Sequence, residues 1–279
     1  MPHGAPELLS YGILTVFSLG LVFHWSRRAL RHPAPTEPLA TEIKGEILMF
    51  DKVQRAFHWA TTASFILVVL TGLPLYDPSA FVPAAAALGI PLHGAFNTYV
   101  LLHVIGSSSL AILLIVHIAW DVGKLRATRL MLPTKSDLKD TIIRAKSLLL
   151  RTKEYPRINK YDGFMKNFHL FLPIAFIVLA VTGIYMLFYS QWWNIPLELH
   201  FQTEPAWKPT VLHDIFGFTL IALVLGHTYF SILPVNKPVF KAMLRGMISA
   251  DDVMKRYRPQ DFVNKLHRSF RSHDKKDNK

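Results

Sequence analysis

The sequence predicts an all-α integral membrane protein with five transmembrane helices. Three observations support this fold class. The 279 residues are 51% hydrophobic, with a mean hydropathy of +0.26, which is too apolar for an ordinary soluble domain. Five apolar stretches are each long enough to cross a bilayer, and the basic residues cluster in alternate connections between them.

A helix needs about 20 mostly apolar residues to cross the ~30 Å hydrocarbon core. The first stretch lacks a positive residue before it and has arginines after it, so we expect a retained helix rather than a cleaved export signal. Aromatic residues lie at the ends of the stretches, as in interfacial belts. The five predicted spans are Leu8–Trp25, Phe57–Tyr76, Tyr99–Trp120, Phe168–Tyr189 and Val211–Leu233.

The distribution of the net charge of +12 predicts the topology. Arginines follow the first span, many lysines and arginines fill the connection between the third and fourth spans, and the C-terminal tail is basic. The connection Asp77–Thr98 has no lysine or arginine, and Ser190–Thr210 has only Lys208. The positive-inside rule then predicts that the N-terminus lies outside and that the long connection and the C-terminal tail lie in the cytoplasm. The excess charge is a topology signal, so we expect contact with membrane lipid and no nucleic-acid partner.

Composition also limits the cofactors. The chain has no cysteine, which excludes a thiolate-held iron–sulfur cluster, a zinc–thiolate site or a disulfide within it. Any iron–sulfur relay must therefore belong to a partner subunit.

We divide the chain into three parts. A proline-rich linker, Arg31–Pro38, closes an N-terminal helix and linker over residues 1–38. The core covers 39–259, and a basic cytoplasmic tail covers 260–279. The connection before the fourth span predicts an amphipathic helix from Ser136 through Arg151, and Ser249 predicts the start of a short helix.

Two histidine pairs have the same spacing of fourteen residues, His103 with His117 and His213 with His227. In an α-helix this spacing is a rise of ~21 Å and a return to within ~40° of the same face. Histidine inside a membrane span is costly and marks a functional site. Four such histidines in register indicate two haems stacked across a bilayer within a four-helix haem-binding bundle. Beyond the shared spacing we expect no internal repeat.

Near the outer membrane surface, His103 and His213 are the one good pair of candidate haem ligands that lie within predicted spans. Ligation from two facing helices is how bundles hold cofactors, and bis-imidazole ligation suits electron transfer. Ser107 and Gly217, one turn further on, are small enough to let a porphyrin approach, so we expect both to contact the cofactor.

The inner level has more histidines than one haem needs. His58, His117 and His169 are all available to face His227. Spacing alone favours His117, which gives a four-histidine cage on two helices. Arg55, one turn before His58, either pairs with a haem propionate or is an ordinary positive-inside residue.

The motifs around these histidines resemble one known family. The segment Arg55–Trp59, followed by an apolar span ending in Thr71-Gly72, resembles the first core helix of the γ subunits of membrane-bound formate dehydrogenases and nickel–iron hydrogenases. The last helix with its two histidines and the tail Lys241–Ser249 are also similar to that family. The resemblance covers Asp51–Pro259 and leaves the first span outside it.

The resemblance implies a di-haem cytochrome b with two haem b groups. The inner haem is then held by His58 and His227, with His117 as the alternative to His58, and the outer haem by His103 and His213. In that family a quinone, menaquinone or ubiquinone, lies beside the inner haem near a Lys-Tyr-Asn motif with a following Gln.

The corresponding stretch here is Lys160-Tyr161-Asp162-Gly163-Phe164-Met165, so Asp replaces Asn and Met replaces Gln. We expect Lys160, Asp162, Gly163 and His169 to contact the quinone. A carboxylate at 162 can relay protons for quinone reduction, or it can instead cap the following helix.

The resemblance thus implies a membrane-anchoring subunit of a periplasmic-facing, formate dehydrogenase-like oxidoreductase. Its partners are an iron–sulfur subunit and a catalytic subunit, and it passes electrons across the membrane to the quinone pool. It carries no catalytic residue for the partner's substrate, although it can hold the quinone reduction site. Two alternatives stay open: a quinol-oxidising cytochrome b that feeds a periplasmic reductase, and a haem-free membrane metal transporter.

Overall fold

The computed structural model is mainly helical over the part of the chain that it describes. Those residues are 5–29, 45–77, 81, 87, 95–124, 132–150, 159–161, 163–188, 209–234 and 236–257. In chain order the elements are α1 (Ala5–Ala29), β1 (Glu46–Leu48), α2 (Lys52–Tyr76), α3 (Ala95–Lys124), α4 (Lys135–Leu150), α5 (Gly163–Leu187), α6 (Pro209–Ile232), α7 (Lys237–Arg245), β2 (Met247–Ser249) and α8 (Ala250–Arg256).

Four of these helices are long and apolar enough to cross a membrane. They are Lys52–Tyr76, Thr98–Trp120 within α3, Gly163–Leu187 and Pro209–Ile232. These four predicted spans are confirmed. Helices α2 and α5 begin five residues before the predicted starts, so that the basic residues Lys52, Arg55 and Lys166 lie within the helices.

Helix α1 is not among these candidate spans. Its described apolar part, Tyr11–His24, is shorter than the length that a span requires. The helix is nevertheless tied to core residues. The Tyr11 hydroxyl donates to Asp77 Oδ2 at 2.8 Å, and His24 Nδ1 lies 2.7 Å from the Tyr229 hydroxyl oxygen.

The chain forms two compact units, and the first contains the helical bundle. This unit comprises Met1–Val22, Phe57–Gly123 and Leu172–Leu225. Helices α2 and α3 pack closely in this unit because residue 106 is a glycine. A Cβ on Gly106 of α3 would lie 2.8 Å from Val68 Cγ2 of α2.

The second unit comprises Phe23–Ala56, Lys124–Phe171 and Gly226–Lys279. In it β1 pairs with β2 in antiparallel register, with Ile47 opposite Ile248. Both isoleucines are buried in a small apolar core together with residues from α7 and α8.

Gly246 and Ser249 shape the segment between α7 and α8. Gly246 ends α7 with a φ of 94°, and its N–H donates to the Ala242 carbonyl. A Cβ there would lie 3.0 Å from the Phe50 carbonyl oxygen, so glycine suits both the turn and the close approach. Ser249 caps α8 by accepting a hydrogen bond from the Asp252 N–H, as predicted.

The predicted helix is confirmed as α4, and a buried ion pair joins it to α5. Its amphipathic character stays a prediction. Lys166 Nζ lies 2.7 Å from Asp137 Oδ2, and the two side chains are 5% and 3% exposed. Burial by itself raises the pKa of the Asp137 carboxyl. Hydrogen bonds from Lys166 and Thr134, together with the charge of Lys166, outweigh that effect and hold the pKa below its ordinary value.

We expect Lys166→Met to destabilise the second unit by about 3–5 kcal/mol, because it leaves the Asp137 carboxylate buried without its counter-ion. Since the folded-state pKa of Asp137 is depressed, the pair stabilises the fold above the ordinary value of 3.8, and this contribution is lost as the pH falls through the folded pKa. Thermal unfolding in detergent, at neutral pH and in steps below it, measures both effects.

The matched control is Asp251→Asn, which removes an exposed ion pair with Lys255 whose side chains are 42% (Lys255) and 21% (Asp251) exposed. Such pairs contribute about 0.2–1 kcal/mol. Equal changes in the two variants would show that the Asp137–Lys166 pair does not anchor α4.

Candidate haem site

The fold brings His103 of α3 and His213 of α6 face to face, as the sequence predicts. Their ring centroids are 6.3 Å apart, with 57° between the ring planes. An imidazole nitrogen lies ~2 Å from the metal that it ligates and ~1 Å from its own ring centroid, so two rings on opposite sides of one metal lie ~6 Å apart. The observed separation therefore fits two axial ligands of a single iron.

Hydrogen bonds from α2 fix the tautomer of His103. Its Nδ1 lies 3.1 Å from the Val68 carbonyl oxygen and 3.2 Å from Thr71 Oγ1. A carbonyl can only accept, so Nδ1 carries the proton and the lone pair is on Nε2. Metal-ligating histidines commonly have this arrangement, with the second ring nitrogen donating to the protein.

The same arrangement holds His213 from α5. Its Nδ1 lies 2.9 Å from Thr182 Oγ1. From the sequence, Thr71 was noted only as part of the Thr71-Gly72 motif at the end of its span, and Thr182 was not noted. The available signal was that each precedes a glycine in an apolar helix, in Thr71-Gly72 and Thr182-Gly183.

The two glycines give the histidine rings their space. A Cβ on Gly72 would lie 2.9 Å from His103 Cε1, and a Cβ on Gly183 would lie 3.2 Å from His213 Cε1. Any larger residue at these positions would push the imidazole away from its present place. The glycines thus set how closely each ring lies against the neighbouring helix.

Tyr99, one turn before His103 on α3, was also missed by the sequence analysis. Its side chain is only 3% exposed, and its hydroxyl has no hydrogen-bond partner among the described residues. A buried donor without an acceptor costs free energy. It fits a bound group that supplies an acceptor, as the carboxylates of a haem do. By spacing, tautomer and this buried donor, the residues present fit a haem.

The predicted ligands of the second haem are distributed over both compact units. His58 belongs to the first unit and is half-buried, with its ring against Trp59. His227 belongs to the second unit and stacks on Phe168 at 5.5 Å with 5° between the planes. Their pairing stays a prediction.

The alternative histidines have other neighbours. His117 is exposed beside Phe57, at 5.7 Å between ring centroids. His169 Nδ1 lies 2.8 Å from the Met165 carbonyl oxygen of its own helix.

The structure shows partners or surroundings for the other predicted cofactor contacts. Arg55 Nη1 donates to the Leu244 carbonyl at 2.6 Å, while its buried Nε has no partner among the described residues. Ser107 is exposed on α3, and the atom nearest to a Cβ on Gly217 would be Leu179 Cδ2 at 4.0 Å. Their roles toward a cofactor stay predictions.

The predicted quinone residues are partly described. Lys160 Nζ lies over the ring of Phe50 at 5.9 Å and that of Tyr161 at 5.1 Å. Gly163 lies against the main chain of Asp137, so its lack of a side chain serves the contact between α5 and α4. Asp162 lies outside the described residues.

Four apolar helices and a facing pair of imidazoles define a multi-pass membrane protein of the haem-binding cytochrome class. A family model confirms this: that of prokaryotic cytochrome b561 matches residues 49–246, and the chain belongs to this family. No curated protein matches the chain. Family membership confirms the resemblance seen in the sequence and makes the chain a membrane cytochrome b, which binds haem b and acts in electron transfer.

We expect Gly72→Ala to weaken haem binding about 10- to 100-fold, the usual effect of disturbing the residues that orient a metal ligand. The added methyl would displace the His103 ring from its contact at 2.9 Å. Gly183→Ala, with its contact at 3.2 Å, should have the same effect to a smaller degree. Haem titration of the apoprotein measures the affinities.

Gly20→Ala on α1 is the control, because a Cβ there meets no atom within 4 Å. Unchanged affinity in Gly72→Ala would mean that the close approach of the ring to α2 has no part in haem binding.

Proposed function

We propose that the chain is the membrane-anchoring di-haem cytochrome b subunit of a periplasmic-facing oxidoreductase, similar to those of formate dehydrogenases. It passes electrons from an iron–sulfur subunit across the membrane to the quinone pool. One observation carries the proposal: His103 and His213 face each other at 6.3 Å with both Nδ1 atoms hydrogen-bonded to neighbouring helices. This arrangement leaves both Nε2 atoms for one iron and no open position for substrate chemistry.

The second haem in this proposal is held by His58 and His227. His213 and His227 lie fourteen residues apart on the same helix, a rise of ~21 Å, so their sites lie near opposite membrane surfaces. The buried Nε of Arg55 supports a bound acceptor near the start of α2. When bound, haem b supplies one-electron exchange, and the protein orients and tunes it.

The partner subunit meets the side of the membrane where His103 and His213 lie. Few basic residues flank that side, which the positive-inside rule makes periplasmic. Since the chain has no cysteine, the iron–sulfur clusters that supply the electrons belong to the partner. Helix α1 is the fifth span in this proposal, with its N-terminus in the periplasm of a bacterial cell.

The opposite level is where menaquinone or ubiquinone exchanges electrons. A quinone takes up two electrons and two protons to become quinol, so its site needs access to cytoplasmic protons. The predicted quinone residues are close in sequence at the start of α5, on the side where basic residues are concentrated. They are Lys160, Asp162, Gly163 and His169. The reverse direction, from quinol to a periplasmic reductase, would use the same residues.

The metal-transporter alternative gains no support from the structure. Within the described ranges, no group of three or more His, Cys, Asp or Glu side chains could hold a metal ion. We therefore propose no transport function.

Removing single histidines tests the ligand assignment. We expect two haem b groups per wild-type chain by the pyridine haemochrome assay. His103→Ala and His213→Ala should each lose the same haem, and His58→Ala and His227→Ala should each lose the other, because an iron with one axial ligand missing is no longer low-spin and binds more weakly.

His117→Ala is the matched control and should keep both haems. If it loses a haem while His58→Ala keeps two, the second site is a cage between α3 and α6 instead. If the wild-type chain holds one haem, the two-haem proposal is wrong, and if His103→Ala keeps both, the His103–His213 site is wrong.

Asp162→Asn tests the quinone site. Asparagine caps a helix as well as aspartate does, so the start of α5 should be preserved while the proton relay is lost. We expect the haems to be reduced by decylubiquinol about 100-fold more slowly, with unchanged haem content. An unchanged rate and pH profile would assign Asp162 to capping alone.

A further inference from the structure

The bundle contains an internal repeat that we did not expect from the sequence. Helix α2 carries Phe57-His58 and, thirteen residues after the histidine, Thr71-Gly72. Helix α5 carries Phe168-His169 and Thr182-Gly183 at the same spacing. The helix following each of these carries Leu-His and a second histidine fourteen residues on, at Leu102-His103 and at Leu212-His213.

The contacts repeat together with the motifs. Thr71 approaches His103 as Thr182 approaches His213, at 3.2 and 2.9 Å. Each glycine lies against the same atom, Cε1, of the corresponding ring. The expectation of no repeat beyond the histidine spacing is therefore wrong. The pairs α2–α3 and α5–α6 are two copies of one module, and each copy presents one imidazole.

A second contact repeats at the other end of each module. The ring of Phe57 lies 5.7 Å from that of His117, and the ring of Phe168 lies 5.5 Å from that of His227. The same residue types therefore meet at this end of both helix pairs, although the rings are tilted by 59° in the first pair and stacked at 5° in the second.

The chemistry of the two threonines is also the same. Each hydroxyl donates at 2.7 Å to a carbonyl of its own helix four residues earlier, Leu67 for Thr71 and Val178 for Thr182. The hydrogen of each hydroxyl is thus engaged, and its oxygen can only accept from the Nδ1–H of the histidine. Both threonines are 2% exposed, so water does not compete for this bond.

We propose that Thr71 and Thr182 are repeat-related positioning residues for the two axial histidines, and that their hydroxyl oxygens set the reduction equilibrium of the haem between them. An acceptor at Nδ1–H makes an imidazole a more basic ligand. A more basic ligand favours the oxidised iron. This inference rests on the haem site proposed for His103 and His213.

The test uses Thr71→Val and Thr182→Val in the purified full-length chain, since valine keeps the side-chain shape and removes the hydroxyl acceptor, while the Val68 carbonyl next to His103 stays in place. Each change should raise the reduction equilibrium constant of the haem of this site by about threefold to tenfold, tenfold being 59 mV for one electron. The low-spin electron paramagnetic resonance signal, which reports the orientation of the imidazole planes, should shift for this haem alone. The two variants should act in the same direction and to a similar degree.

Thr71→Ser and Thr182→Ser should restore the wild-type potential and signal, because serine keeps the oxygen. Ser109→Ala is the control: that hydroxyl bonds the Ile105 carbonyl of its own helix, and its removal should change neither readout. Full haem content with unchanged potential and signal in both valine variants would overturn the inference.

If the valine variants lose the haem, the serine variants decide. Normal haem and potential in the serine variants support the role of the oxygen, whereas equal loss in both series overturns it. Failure of the haem site itself is seen separately, as two retained haems in His103→Ala with all threonines intact.

Discussion

The structure of the bundle depends on placing two neutral imidazoles in an apolar setting. A polar group without a hydrogen-bond partner costs several kcal/mol of stability in such a setting. The chain meets this cost by placing Nδ1 of His103 near a carbonyl and a hydroxyl of α2, and Nδ1 of His213 near a hydroxyl of α5. That requirement explains why the neighbouring helices come close at Gly72 and Gly183. It also explains why Thr71 and Thr182 are buried.

Four spans and the facing pair of histidines could be predicted from the sequence, because both depend on local properties. Apolar length identifies a span, and helical spacing puts residues fourteen apart on one face. Family membership then made the resemblance of Arg55–Trp59 and its neighbours to a cytochrome b a firm result.

Other features could not be predicted from the sequence, because they depend on contacts between residues that are distant along the chain. A Thr-Gly pair in an apolar helix is also typical of plain helix packing, and only the position of a ring from another helix gives it a further meaning. Arg55 could be read as a propionate ligand, yet one of its nitrogens bonds the Leu244 carbonyl, nearly two hundred residues on. In the sequence, Gly163 belongs to the stretch that resembles a quinone motif. In the structure, it lies against the main chain of Asp137 in α4.

The repeat has a consequence for how the two ends of the bundle can diverge. A site that takes one ligand from each module is what two identical two-helix chains would form about a two-fold axis. Toward the other end each module carries two histidines of its own, His58 with His117 and His169 with His227, and the second haem that we propose takes one from each module. In that proposal the two remaining histidines are not ligands and are open to selection for another purpose, whereas the His103–His213 site needs both of its histidines.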